Sequence, residues 1–204
     1  MTTAKTWDLP TRLYHWTLTI GVGAAWWTAD NGHLESHEKI GVGLISLLIF
    51  RILWGVVGSP TARFAHFVRG PGAALRHLGA LWSMRQEISI GHNAAGGWMV
   101  LVLLAVVGAQ AAMGLFATDG LIFWGPLSGL VSGAWQDRLT AWHTSWFNVI
   151  LAMVALHVAA VLFYVFLGDE DLIRAMITGY KPGAPPPPRA GAYILASPKV
   201  VAIR

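Results

Sequence analysis

The chain has 204 residues, 55% of them hydrophobic and only 12% charged, with a mean hydropathy of +0.54, where soluble domains carry about 25% charged residues. A formal charge of +4 does not mark a nucleic-acid binder, because the basic residues flank long apolar runs instead of forming a solvated basic face. Cysteine is absent, which excludes thiolate metal sites, iron–sulfur clusters, disulfides and covalent c-type haem attachment.

Four stretches are long enough to cross a bilayer, which takes about 20 mostly apolar residues. Unpaired backbone groups are too costly in hydrocarbon for anything but helices there. The expected fold is therefore an all-α membrane protein, a bundle of four transmembrane helices. The first span runs from about Leu13 to Ala29. It stands where a signal peptide would, but no small-residue cleavage site follows Trp26 and Trp27, so it is read as retained. The second span covers His37 to Val57. Between Gly72 and Arg85, Leu75, Leu78, Leu81 and Trp82 share one helical face with Arg76 and Arg85 off it, the pattern of a helix lying in the membrane interface. The third span runs from about Gly96 to Ala117, and His92 ahead of it is read as a polar helix-start residue rather than the lining of a quinone pocket. The fourth runs from about Leu139 to Leu167. Residues 1–181 make one membrane domain, and residues 182–204, with the polyproline run Pro185–Pro188, a Pro-rich cytoplasmic tail.

Positive charge sets the sidedness. Lys5, Arg12, Arg51, Arg63, Arg69, Arg76, Arg85, Arg174, Lys181, Arg189, Lys199 and Arg204 fall on one side, and only Lys39 and Arg138 on the other. Twelve of the 14 basic residues on one side is a positive-inside signal that puts both termini in the cytoplasm. The loops 30–36 and 118–138 then face the far side, read as a bacterial periplasm. Trp26, Trp27, Trp54, Trp98, Trp142 and Trp146 fall near span ends, as an aromatic belt requires.

Of eight histidines, His15, His37, His143 and His157 lie in or at the edge of spans, and ionisable groups at that depth lean functional. His143 and His157 are separated by nearly four helical turns, so they share a face about 21 Å apart. The first helix enters from the cytoplasm, which sets His15 level with His157. The second enters from outside, which sets His37 level with His143. Two facing imidazole pairs at two depths result, the arrangement in which helix bundles build cofactor sites.

A bare metal ion held by two imidazoles would be under-coordinated, and the spans offer almost no carboxylate at these depths. Haem brings four equatorial nitrogens of its own and needs only two axial ligands. Two haem b groups, each held by two histidines, fit the donors, and closed coordination points to electron transfer rather than chemistry at iron. Arg51 shares the His37 face at cytoplasmic depth, and Arg12 precedes His15 by one turn, so both are candidate partners for the inner haem's propionates. Gly41, one turn after His37, would let a macrocycle approach the backbone. His33 and His37 have the i, i+4 spacing of a zinc pair, but the loop is short and a solvated His33 is preferred.

These residues carry a family resemblance. Trp7-Asp-Leu-Pro-Thr-Arg-Leu-Tyr-His15-Trp is similar to the opening of the bacterial cytochrome b561 and nickel–iron hydrogenase b-type cytochrome group. So are His37-Glu-Lys-Ile-Gly41, Phe50-Arg51-Ile-Leu-Trp54-Gly, Ala62-Arg-Phe and Phe67-Val-Arg-Gly-Pro71. Further along, Gly91-His-Asn, Gly96-Gly-Trp-Met, Trp142-His143, Leu156-His157 and Asp171-Leu-Ile-Arg-Ala-Met-Ile-Thr-Gly179 continue it. The resemblance covers about residues 7–181. It implies two b haems in a four-helix bundle, ligated from helices one, two and four at positions matching His15, His37, His143 and His157. It also implies a bacterial plasma-membrane conduit between quinone and a periplasmic redox partner, such as a c-type cytochrome, a hydrogenase or another dehydrogenase. Thr144 departs from the commoner His-Glu pair, which does not bear on ligation.

The leading expectation is therefore an electron-transfer subunit. The alternative is a stand-alone superoxide oxidase reducing ubiquinone. An anion substrate calls for positive charge outside, whereas the outer loops hold Asp30, Glu35, Glu38, Asp119 and Asp137 against Lys39 and Arg138. A cofactor-free transporter or channel is the third class, and it leaves the paired depths without a purpose.

Overall fold

The computed structural model describes residues 3–81, 91–168 and 170–182. Trp82 and Arg85 of the interfacial segment and the tail from residue 183 onward lie outside the described residues. The chain begins with β1 (Thr3–Lys5), followed by α1 (Leu9–Asp30) and α2 (Leu34–Val57). Two short helices follow, α3 (Phe64–Phe67) and α4 (Pro71–Leu81), before α5 (Ala94–Gly114). A loop containing one turn of 3-10 helix, Ser128–Leu130, leads to the long α6 (Gly133–Leu167), then α7 (Leu172–Thr178) and β2 (Tyr180–Pro182).

Local chemistry sets the helix ends. Asp8 caps α1 by accepting from the Thr11 amide at 2.8 Å, with Pro10 in the first turn. A proline costs nothing there, because that amide has no helical acceptor anyway. Asn93 caps α5 by accepting from the Gly96 amide at 2.8 Å. Gly179 ends α7 in the left-handed region at φ +88°, and a Cβ on it would stand 2.8 Å from the Trp7 carbonyl. That carbonyl-to-helix approach closes the two ends of the chain on each other.

Among the described residues, α2, α5 and α6 are long and apolar enough to cross a membrane. The stretch expected as the first span is helical, the 22-residue α1, but it is not among these three; its Thr11, Thr17, Thr19 and Thr28 dilute its apolar content. Three of the four threonines turn inward on the helix or its start: Thr28 and Thr19 donate to carbonyls one turn back, and Thr11 is buried. Large apolar side chains on the outer faces, such as Ile20, Ile52, Leu53, Val56 and Phe166, are exposed. In lipid this is the expected state, because hydrocarbon gives no incentive to hide them.

Close packing pairs α1 with α2 and α5 with α6, while α2 also meets α5 and α4 lies against α5. Among the described residues, α6 is not in comparably close backbone contact with α1 or α2. A gap thus separates the helix bearing His143 and His157 from the two bearing His15 and His37. Beside the start of α1 and the end of α7, β1 pairs antiparallel with β2, with Ala4 opposite Lys181. The Thr6 and Trp7 amides both donate to the Gly179 carbonyl, at 2.8 and 3.1 Å.

Candidate functional site

The interhelical gap is bridged by imidazoles. The His37 and His143 ring centroids lie 5.8 Å apart, and those of His15 and His157 lie 6.4 Å apart. Imidazole nitrogens bind transition-metal ions at about 2 Å, so two rings holding one ion between them have centroids about 6 Å apart. Both spacings suit that role. All four rings are half-buried, and among the described residues no group of three or more histidine or carboxylate side chains gathers around either pair. Two imidazoles across a gap form an incomplete shell for a bare ion and a complete axial set for a haem. Gly41 faces open space, so no protein atom obstructs a flat ligand beside its backbone.

The His37–His143 pair is oriented through its second nitrogens. His37 Nδ1 lies 2.8 Å from the Ala25 carbonyl of α1, and His143 Nδ1 lies 2.9 Å from the Gln110 carbonyl of α5. A carbonyl accepts only, so each Nδ1 carries the proton and each Nε2 is left with its lone pair for a metal. The His15–His157 pair is different: His15 Nδ1 is buried without a hydrogen-bond partner.

Gln110 was not legible as a site residue, although it is the one amide side chain in the otherwise apolar α5. Its Nε2 donates to the His143 carbonyl at 2.9 Å and lies 3.4 Å from His143 Nε2. Trp146, one turn along α6, donates its indole N–H to the Val106 carbonyl at 3.0 Å.

The two arginines named as propionate partners meet different fates. Arg51 is 3% exposed; its Nη1 donates to the Ala62 carbonyl at 3.2 Å, and its guanidinium sits 4.8 Å from the Phe64 ring centroid. Among the described residues no carboxylate forms an ion pair with it. Arg12 donates from Nη1 to the Ile177 carbonyl of α7, tying the start of α1 to α7, while its Nε is buried with no hydrogen-bond partner.

His92 does start a helix, but it is no solvated residue. Its ring is wedged between Trp7 and Phe67, each 4.6 Å away by centroid; the residue as a whole is only half-buried, yet its Nδ1 is shut off from solvent. Burial, with Arg51 adding repulsion, pushes the imidazole pKa down to about 3. As pH falls through about 6.5 the unfolded chain takes up a proton that the folded chain refuses until near pH 3, so stability should decline across that window. Thermal midpoints of the purified protein from about pH 7 to about pH 4 test this, and His92→Phe should flatten the decline. Equal slopes for the two proteins would remove the buried imidazole as the cause.

A membrane bundle with imidazole pairs facing one another across an interhelical gap is the architecture of a b-type cytochrome. The family model described as prokaryotic cytochrome b561 matches residues 6–179, and the chain belongs to that family of membrane electron-transfer cytochromes. No curated protein and no solved structure matches the chain.

Proposed function

We propose that the chain carries two b haems and conducts electrons across the bacterial plasma membrane between quinone and a periplasmic redox partner, a c-type cytochrome, a hydrogenase or a dehydrogenase. The observation that carries the reading is the pairing of imidazoles at two depths, His15 with His157 and His37 with His143. In this reading α1 is the fourth span, both termini are cytoplasmic, and residues 1–181 act as one membrane domain with a Pro-rich tail.

Haem iron supplies a one-electron carrier at each depth. His15 with His157 and His37 with His143 would hold the haems, and the Nδ1 bonds of His37 and His143 keep their Nε2 atoms available. Arg51 would meet a propionate of the inner haem: a buried cation without a carboxylate ion pair is costly, and a propionate would supply the missing charge. Arg12 holds the inner end together beside it. The lipid-facing side chains of α2, α5 and α6 keep the carriers out of water, so that electrons enter and leave at the two faces.

Purified protein should bind two haems b per chain and be reduced by a quinol or by a reduced c-type cytochrome. A colourless protein, a single haem, or pigment that neither donor reduces would overturn the reading.

A further inference from the structure

The helix that supplies no ligand holds one of the ligands. A Cβ built on Gly114 of α5 would lie 2.8 Å from His143 Cε1 and 3.2 Å from its Nδ1. The ring is therefore seated where α5 has no side chain. One turn back on the same helix, Gln110 engages His143 three times. Its main-chain carbonyl accepts from Nδ1 at 2.9 Å, its side-chain amide donates to the His143 main-chain carbonyl at 2.9 Å, and the same amide nitrogen lies 3.4 Å from Nε2. His37 has a single such contact, to Ala25, and His15 Nδ1 has none. The four imidazoles are thus held very unequally.

We propose that the Gln110 side-chain amide and the bare Cα of Gly114 are positioning elements for the outer haem, fixing the plane in which His143 presents Nε2 and so setting that haem's affinity and potential. This rests on the reading of His143 as an axial ligand. The ring has no freedom to yield toward α5, and a Cβ at 2.8 Å must drive it the other way. A ligand has to be held within about 0.5 Å of its working pose, so the displacement reaches Nε2. The amide beside Nε2 is close enough for its dipole to act on whatever that nitrogen binds. Changing groups that orient a metal's histidine costs about 10- to 100-fold in affinity.

The test is made on the full-length protein in detergent, with Gly114→Ala, Gln110→Met and, as the control, Gly108→Ala on the same helix, where a Cβ meets nothing within 4 Å. Retention of each haem during competition with apomyoglobin, the ferric electron paramagnetic resonance spectrum and the midpoint potential of each haem are read. Gly114→Ala, which displaces the ring, should weaken outer-haem retention about 10- to 100-fold; Gln110→Met, which keeps the main-chain carbonyl on Nδ1 and removes only the amide contacts, should weaken it in the same direction by a smaller factor. They should also shift that haem's ferric signal and potential, leaving the inner haem and the Gly108→Ala protein unchanged. Because Gln110→Met nearly preserves shape, it carries the test even if Gly114→Ala does not assemble. Two normal haems with unchanged potentials in Gln110→Met would overturn the proposal. If His143→Ala, run alongside, keeps the outer haem intact, the ligand reading itself is wrong.

Discussion

Replacing His157 with alanine is expected to halve the haem content of the purified protein and leave the outer haem spectrally normal. The partner substitution His15→Ala should do the same, because these two rings face each other at 6.4 Å across the gap. His37→Ala and His143→Ala should instead remove the outer haem, since those rings form the other pair at 5.8 Å. The separation of effects follows from geometry: along α6 the two ligands stand about 21 Å apart, too far for one vacancy to disturb the other. Transmembrane electron transfer should be lost in all four variants, because a single remaining carrier leaves most of the membrane thickness uncrossed. Haem-to-protein ratios and reduced-minus-oxidised spectra decide the matter. Two full-strength, low-spin haems in any one variant would break the pairing, and loss of both from every variant would mean that the bundle needs both to assemble.

The pairing was legible because it depends on only two regularities, the span boundaries and the 3.6-residue turn. Hydrophobic runs locate α2, α5 and α6 within a few residues. The start of α1 at Leu9, ahead of the expected Leu13, follows the cap at Asp8 and the early Pro10 rather than hydropathy. Likewise α6 begins at Gly133, six residues before Leu139, because Gln136, Asp137 and Arg138 extend the helix beyond the apolar stretch. What spacing could not supply were contacts between distant segments. Arg12 is one turn from His15, and its Nη1 also reaches the Ile177 carbonyl, 165 residues away. Gln110 and Gly114 sit on a helix without histidines, and only tertiary packing reveals that they cradle His143. Even His92, read as a polar helix start, owes its enclosed, neutral state to Trp7 and Phe67 from two other segments.

Lys181 shows the same limit and carries the largest expected effect on stability. In the sequence it counts as one of the basic residues of the cytoplasmic side, yet its side chain is 1% exposed and pairs with Glu170, 7% exposed, at 2.5 Å. The pair lies where β2 joins β1, beside the chain reversal in which Gly179 receives the Thr6 and Trp7 amides. Lys181→Met removes the cation and leaves a carboxylate stranded in a site closed to water. Breaking one side of a buried pair costs about 3–5 kcal/mol, whereas replacing both members with apolar residues is often neutral. Lys181→Met should therefore loosen the joined termini, raise hydrogen exchange at the β1 amides and lower the thermal midpoint. The double variant Lys181→Met/Glu170→Leu should recover most of the loss. Because Trp7 is packed on His92, and His92 lies near the inner imidazole pair, the single variant should also broaden the inner haem's signal while sparing the outer one. If the single and double variants are equally unstable, packing around the lysine stem, and not the stranded charge, is what holds the termini together.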